Sequence, residues 1–151
     1  MTVVMAGWAG LTGAYEAWQR DPQTIGKYFP KRFLEHCEKA ISEANSTDIP
    51  LPEGAVSLEK GCLAALWQLG EQEDCGFSVE GERIPLPQQV VELCEALGLD
   101  PLRIPGRGYV ALRAEAPREG ETVLGYTRAD KTRVLCREDR ISYLTPEGRE
   151  G

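Results

Sequence analysis

Few residues in this chain have the type and spacing to do chemistry. The only histidine is His36, and the five cysteines are Cys37, Cys62, Cys75, Cys94 and Cys136. No two cysteines stand in a Cys-x-x-Cys arrangement, so a zinc-type ligand set cannot be written. His36 and Cys37 are adjacent, and neighbours on a helix point about 100° apart, which rules them out as a nucleophile–base dyad. Cys75 precedes Gly76 at a helix end, where the helix dipole disfavours a thiolate, so ligand capture by a reactive thiol is a minor reading. The remaining candidate is a turn, Gly7-Trp8-Ala9-Gly10-Leu11-Thr12-Gly13, with glycine at every third position between a strand and a helix. Such a turn can cradle a phosphate with its N–H groups, or it can let a helix pack closely on a strand. It lacks a lysine and both complete phosphate-loop patterns, so packing is the favoured reading, with Gly7, Gly10 and Gly13 as the possible phosphate contacts.

The elements around these residues follow from periodicity. Thr2 to Ala6 reads as a buried strand and Ala14 to Arg20 as a helix that Asp21-Pro22 stops. A second helix runs from about Pro30 to Ala44, and a turn-rich connector covers Asn45 to Gly54. Leu58, Cys62, Ala65, Leu66 and Leu69, with Leu63 and Trp67 beside them, are spaced three and four apart. That makes Lys60 to Gly70 the central core helix, ending near Glu73. Cys37, Cys62 and Cys94 fall on apolar helix faces, where a small buried hydrophobe is the expected role. Gly76 to Glu80 reads as a strand. A helix carrying Val90, Val91, Cys94 and Leu97 follows, with Pro87 suited to its first turn and Gly98 to its C-terminal cap. Tyr109 to Arg113, Thr122 to Arg128, Thr132 to Arg137 and Arg140 to Leu144 read as strands, the last three as an antiparallel set. The predicted architecture is α+β: helices on a mixed, mainly antiparallel sheet, in one domain over 1–145, with a frayed tail over 146–151.

Composition narrows the function classes. With 151 residues, 42% hydrophobic content and 27% charge, the chain is an ordinary globular sequence. Its net charge of −7 argues against a nucleic-acid or anionic-membrane surface. The loose basic cluster at Arg128, Lys131, Arg133, Arg137 and Arg140 reads as a solvated strand face. No apolar run is long enough for a membrane span and no basic leader is present, so a cytoplasmic location with reduced thiols is expected.

The order of the pieces resembles the C-terminal domain of the aminoimidazole ribonucleotide (AIR) synthase superfamily. The similarity is greatest to its hydrogenase-maturation (carbamoyl dehydratase) and AIR synthase-related branch. Val3 to Ala14 resembles that branch's opening strand and glycine turn, and Gly61 to Leu69 resembles its Gly-Gly helix. Ile84-Pro85, Val90 to Gly98, and Asp100-Pro101-Leu102 with Gly108 follow the same line. The resemblance implies a three-layer fold with partial ferredoxin-like similarity. It also implies that an N-terminal domain holding much of an ATP and magnesium site is expected to be missing here.

Departures from that family concern chemistry. Where the related enzymes carry His-Asp-x-Thr, this sequence has Val56, Ser57, Leu58 and Glu59, and Cys62 replaces the second glycine after Gly61. Ser57 is a poor metal ligand and no base near neutral pH. Glu59 is expected to face another direction, as a first-turn acid favoured by the helix dipole. The family's helix between the strands matching Tyr109 to Arg113 and Thr122 to Arg128 is replaced by Ala114 to Glu121, too short and broken for a stable helix, which should uncover part of a sheet face. The expectation is a stand-alone domain without catalysis of its own, acting through protein–protein association. Its partner would be a second copy or a separate protein carrying the ATP-binding domain. The alternative is the C-terminal half of a split ATP-dependent enzyme. No metal, catalytic residue or cofactor is expected, apart from ATP and magnesium if a partner subunit completes the site.

Overall fold

The computed structural model describes residues 1–146, so the frayed tail expected over 146–151 lies, apart from Pro146, outside the described residues. A seven-stranded mixed sheet runs through the molecule in the order β2-β4-β1-β5-β3-β6-β7. Its strands are β1 (Thr2–Trp8), β2 (Val56–Ser57), β3 (Gly76–Glu80), β4 (Arg107–Arg113), β5 (Glu121–Arg128), β6 (Arg133–Arg137) and β7 (Arg140–Tyr143). The helices are α1 (Leu11–Arg20), α2 (Pro22–Tyr28), α3 (Lys31–Ser46), α4 (Cys62–Glu73) and α5 (Gln88–Leu97), with 3-10 turns at Leu58–Lys60 and Gly81–Arg83.

One face of the sheet makes the main core with α4. Val3, Met5, Phe77, Val79, Val110, Leu124 and Leu135 alternate inward and meet Cys62, Leu63, Ala65, Leu66 and Leu69, all buried. The apolar residues of α4 reach more than one stripe because the helix is wrapped, as its spacing predicts. Each large side chain so buried contributes about 1.5–3 kcal/mol. A second core joins the other helices: Leu11 and Ala14 of α1, Ile25 of α2, Ile41 of α3, and Val90, Leu93 and Cys94 of α5. Cys37, Cys62 and Cys94 are all buried, as predicted.

Three expectations are corrected. Asp21-Pro22 ends α1 but also starts α2, because the Asp21 side chain accepts the Thr24 N–H at 3.2 Å and Pro22 occupies the first turn. The last three strands are not one antiparallel set. β6 and β7 pair antiparallel, but β3 lies between β5 and β6, antiparallel to the first and parallel to the second. Pairing of that kind is set by distant segments, so short turns do not reveal it. The core helix begins at Cys62 rather than Lys60, after a 3-10 turn and a break at Gly61.

The opposite face of the sheet is covered unevenly. Over β1 and β4, the residues Val4, Ala6, Tyr109 and Ala111 are buried against Ile49 and Ala55 of the connector and Val123 of the neighbouring strand β5. The segment Ala114 to Gly120 forms no helix, as its composition predicts. Farther along, Tyr126, Ile141 and Tyr143 stand more than half exposed.

Candidate functional site

Both motifs singled out in the sequence converge on one segment, Asp100 to Gly108. The glycine turn meets it from one side. The Gly13 N–H donates to the Pro105 carbonyl at 2.8 Å, and a side chain at Gly10 would stand 2.7 Å from the Pro101 carbonyl oxygen. The start of α4 meets it from the other. Leu63 N–H donates to the Leu102 carbonyl at 3.1 Å, and Gly106 N–H to the Leu58 carbonyl at 2.9 Å. Gly61 has φ of 102°, and a Cβ there would lie 2.7 Å from the Arg103 carbonyl oxygen. Gly61 thus serves close backbone approach in a conformation that side-chain-bearing residues rarely adopt. Gly7 sits in the β1–β4 ladder opposite Gly108. Gly7 and Gly10 therefore face this chain's own backbone and Gly13 the side chains of Ile104 and Pro105, and Thr12 is the turn residue that lines the cavity between α1 and the edge before α4.

That cavity, of about 550 Å³, is lined by Thr12 and Glu16 of α1, Asp48, Ile49 and Leu51 of the connector, Ser57 and Glu59, and Pro105 to Gly108. Here the structure corrects the expected direction of Glu59. The Ser57 hydroxyl accepts the Glu59 N–H at 3.2 Å and opens the 3-10 turn, which brings both side chains to the same cavity. Val56 and Leu58 point the other way and belong to the core. Three carboxylates line the cavity, from Glu16, Asp48 and Glu59. Its one guanidinium, Arg107, donates to the Thr47 carbonyl at the end of α3, through Nε at 3.1 Å and also through a terminal nitrogen. Among the described residues, no three side chains of His, Cys, Asp or Glu are placed to hold one metal ion.

Four of the five thiols are held above their ordinary range by burial. Burial pushes Cys62 up to about 12, against the opposing charge of Arg137, and pushes Cys37 and Cys94 up to about 11. Burial also raises Cys75.

A second cavity of about 480 Å³ lies across the connector, sharing Asp48 and Ile49 with the first and walled by Trp8, Tyr109, Pro85 and Gly120. Beside it is a charged cluster that sequence reasoning missed. Glu121, whose side chain is fully buried, accepts from Arg113 Nε at 2.9 Å and a terminal Arg113 nitrogen at 2.6 Å. It also accepts from the Tyr109 hydroxyl at 2.6 Å and the Arg118 N–H at 2.9 Å. Burial alone would raise the Glu121 carboxyl. The hydrogen bonds from Arg113, Tyr109 and Arg118, with the Arg113 charge, outweigh it and hold the group at about 2. The signal available in the sequence was weak: an arginine and a glutamate closing two strands that are joined by a short loop.

An α+β domain with this strand order and a glycine-braced core helix has clear relatives. No family model matches the chain. The carbamoyl dehydratase HypE of Rhizobium leguminosarum bv. viciae is 35% identical over 69 residues, which is 46% of this chain and 19% of that protein. Among solved structures, the hydrogenase maturation protein HypE in complex with ATP superposes with a TM-score of 0.62 at 16% identity, covering 95% of this chain and 50% of that one. HypE in a HypE–HypF complex gives 0.58 at 16% identity, over 89% and 48%. Thiamine monophosphate kinase from Aquifex aeolicus gives 0.58 at 12% identity, over 89% and 49%. The chain spans about half the length of the solved chains it matches. Its fold is that of the AIR synthase superfamily. Over the matched 69 residues its sequence is similar to that of the hydrogenase-maturation protein HypE. None of its described helices is long and apolar enough to cross a membrane.

Proposed function

We propose that this domain acts by association with another protein chain and carries out no catalysis of its own. The observation that carries this reading is the state of the edge before α4. Of the four positions where the resemblance implies His-Asp-x-Thr, Val56 and Leu58 are built into the core, and the Ser57 hydroxyl is engaged by the Glu59 N–H. Imidazole and aspartate are replaced by groups that neither ligate a cation well nor move a proton near neutral pH. The carboxylates of Glu16, Asp48 and Glu59 oppose an anion in the same cavity. Function follows from the site rather than the fold, and this site has lost the groups that the chemistry needs.

A second reading is favoured by one feature. Thr12 of the glycine turn, Ser57 and Glu59 line a single cavity of about 550 Å³. In that reading the domain is one half of a split ATP-dependent enzyme, and a separate ATP-binding subunit supplies the cation and the remaining phosphate contacts. ATP hydrolysis separates the two. The association reading expects none above the blank, from the chain alone or with a partner captured from native extract. Turnover on adding that partner, lost in Glu59→Ala, supports the split enzyme and overturns the first reading.

A further inference from the structure

The sheet face opposite α4 carries a hollow that comes from one small residue beside two rings. Ala6 of β1 pairs directly with Tyr109 of β4, and both belong to the outer apolar cluster. Trp8 stands two residues on from Ala6 and lines the same cavity, of about 480 Å³. Side chains at direct and diagonal positions of a strand pair are neighbours, so a long side chain at Ala6 would fill this space, and its methyl group leaves it open. Ile49 and Pro50 of the connector, Pro85 and Gly120 complete the apolar walls. The volume falls within the range of about 300–1,000 Å³ usual for small organic ligands.

The charges at this cavity are of one sign. Asp48 and Glu119 are exposed carboxylates on its wall, and neither has a hydrogen-bond or ion-pair partner among the described residues. No lysine, arginine or histidine among the described residues lines it. Arg107, across the connector, is engaged by the Thr47 carbonyl, and Arg118, next to Glu119 in the chain, lies outside the lining. The Glu121 carboxylate behind Tyr109 is already matched by Arg113. A cation beside carboxylates and aromatic rings gains from both, whereas an anion is repelled. We propose that this cavity binds a small organic amine, its apolar body between Trp8 and Tyr109 and its ammonium group against Asp48 and Glu119. The proposal goes beyond the association reading and does not depend on it.

Isothermal titration of the full chain with phenethylamine, and with phenethyl alcohol as its uncharged counterpart, tests this. A single amine should bind, with a Kd on the order of 1 mM for a molecule of this size. It should bind about tenfold more tightly than the alcohol, and more weakly as salt is raised. Asp48→Asn and Glu119→Gln remove exposed charges that hold no contact in the fold. Each should weaken the amine about threefold and the two together about tenfold, with the alcohol unchanged. Glu35→Gln, on α3 and outside the cavity, should change nothing. In amide spectra the amine should shift Gly7, Trp8 and Gly120. No binding at about 10 mM amine, equal affinity for amine and alcohol, a double variant that binds as tightly as the wild type, or shifts confined to other residues overturns the proposal. None of these outcomes bears on ATP turnover, which judges the association reading separately.

Discussion

Replacing Glu121 with Gln removes one negative charge from a buried site. The side chain is fully buried, Arg113 is 12% exposed, and four hydrogen bonds converge on the carboxylate. The carboxyl is held at about 2 against an ordinary 4.5, a difference worth about 3 kcal/mol of folding stability. Leaving the Arg113 guanidinium buried without its partner costs a similar amount, about 3–5 kcal/mol. Because the folded-state pKa is depressed, the contribution is fully present above about pH 4.5 and is lost as the pH falls toward 2. Urea unfolding of both proteins across this range measures it. At neutral pH the variant should be about 3 kcal/mol less stable, and the gap should narrow steadily below pH 4.5. The variant's Tm should fall by roughly 6–12 °C at neutral pH. A neutral-pH loss below about 1 kcal/mol, or a gap that does not change with pH, would refute the reasoning. Glu121 also accepts the Arg118 N–H, so the same substitution should loosen the Ala114–Gly120 segment, read as faster amide exchange there.

Three further outcomes follow from contacts elsewhere. Gly61→Ala places a Cβ 2.7 Å from the Arg103 carbonyl oxygen at φ of 102°, and should cost more than about 2 kcal/mol in urea unfolding. Gly54→Ala has φ of 83° but nothing within 4 Å, and should cost about 1 kcal/mol or less. Arg133 lies 4.6 Å over the Trp67 ring and bonds the Cys75 carbonyl at 3.0 Å and Glu71 at 3.2 Å, tying β6 to the end of α4. Arg133→Met should cost about 2 kcal/mol, and Arg133→Lys should recover only part of it, because lysine cannot stack and fork at once. In native alkylation read by mass spectrometry, Cys37, Cys62 and Cys94 should stay unmodified until unfolding, while the half-buried Cys75 and Cys136 should react first.

Legibility in the sequence followed how local each signal is. β3 occupies the predicted Gly76–Glu80, and α5 ends at Gly98 in a left-handed cap with φ of 67°, because alternation and capping act over a few residues. The burial of α4 was equally legible from its spacing. α2 was not, because Asp21-Pro22 reads as a stop although the same pair caps and starts the next helix. The place of β3 between β5 and β6 depends on pairings some fifty residues apart, which no turn signal reports. For the site, the replaced His-Asp positions were readable as residues. That Ser57 folds Glu59 back toward itself depends on a single hydroxyl-to-amide contact. The Tyr109–Arg113–Glu121 cluster escaped because charged residues at strand ends usually face water.

The claim that this domain binds without catalysing is tested most directly by ATP turnover. The purified chain and its Glu59→Ala variant would each be assayed alone and with the partner captured from native extract. The account predicts no hydrolysis above the blank in any of the four assays. Hydrolysis by the wild-type chain, alone or with the partner, that disappears in Glu59→Ala would contradict it.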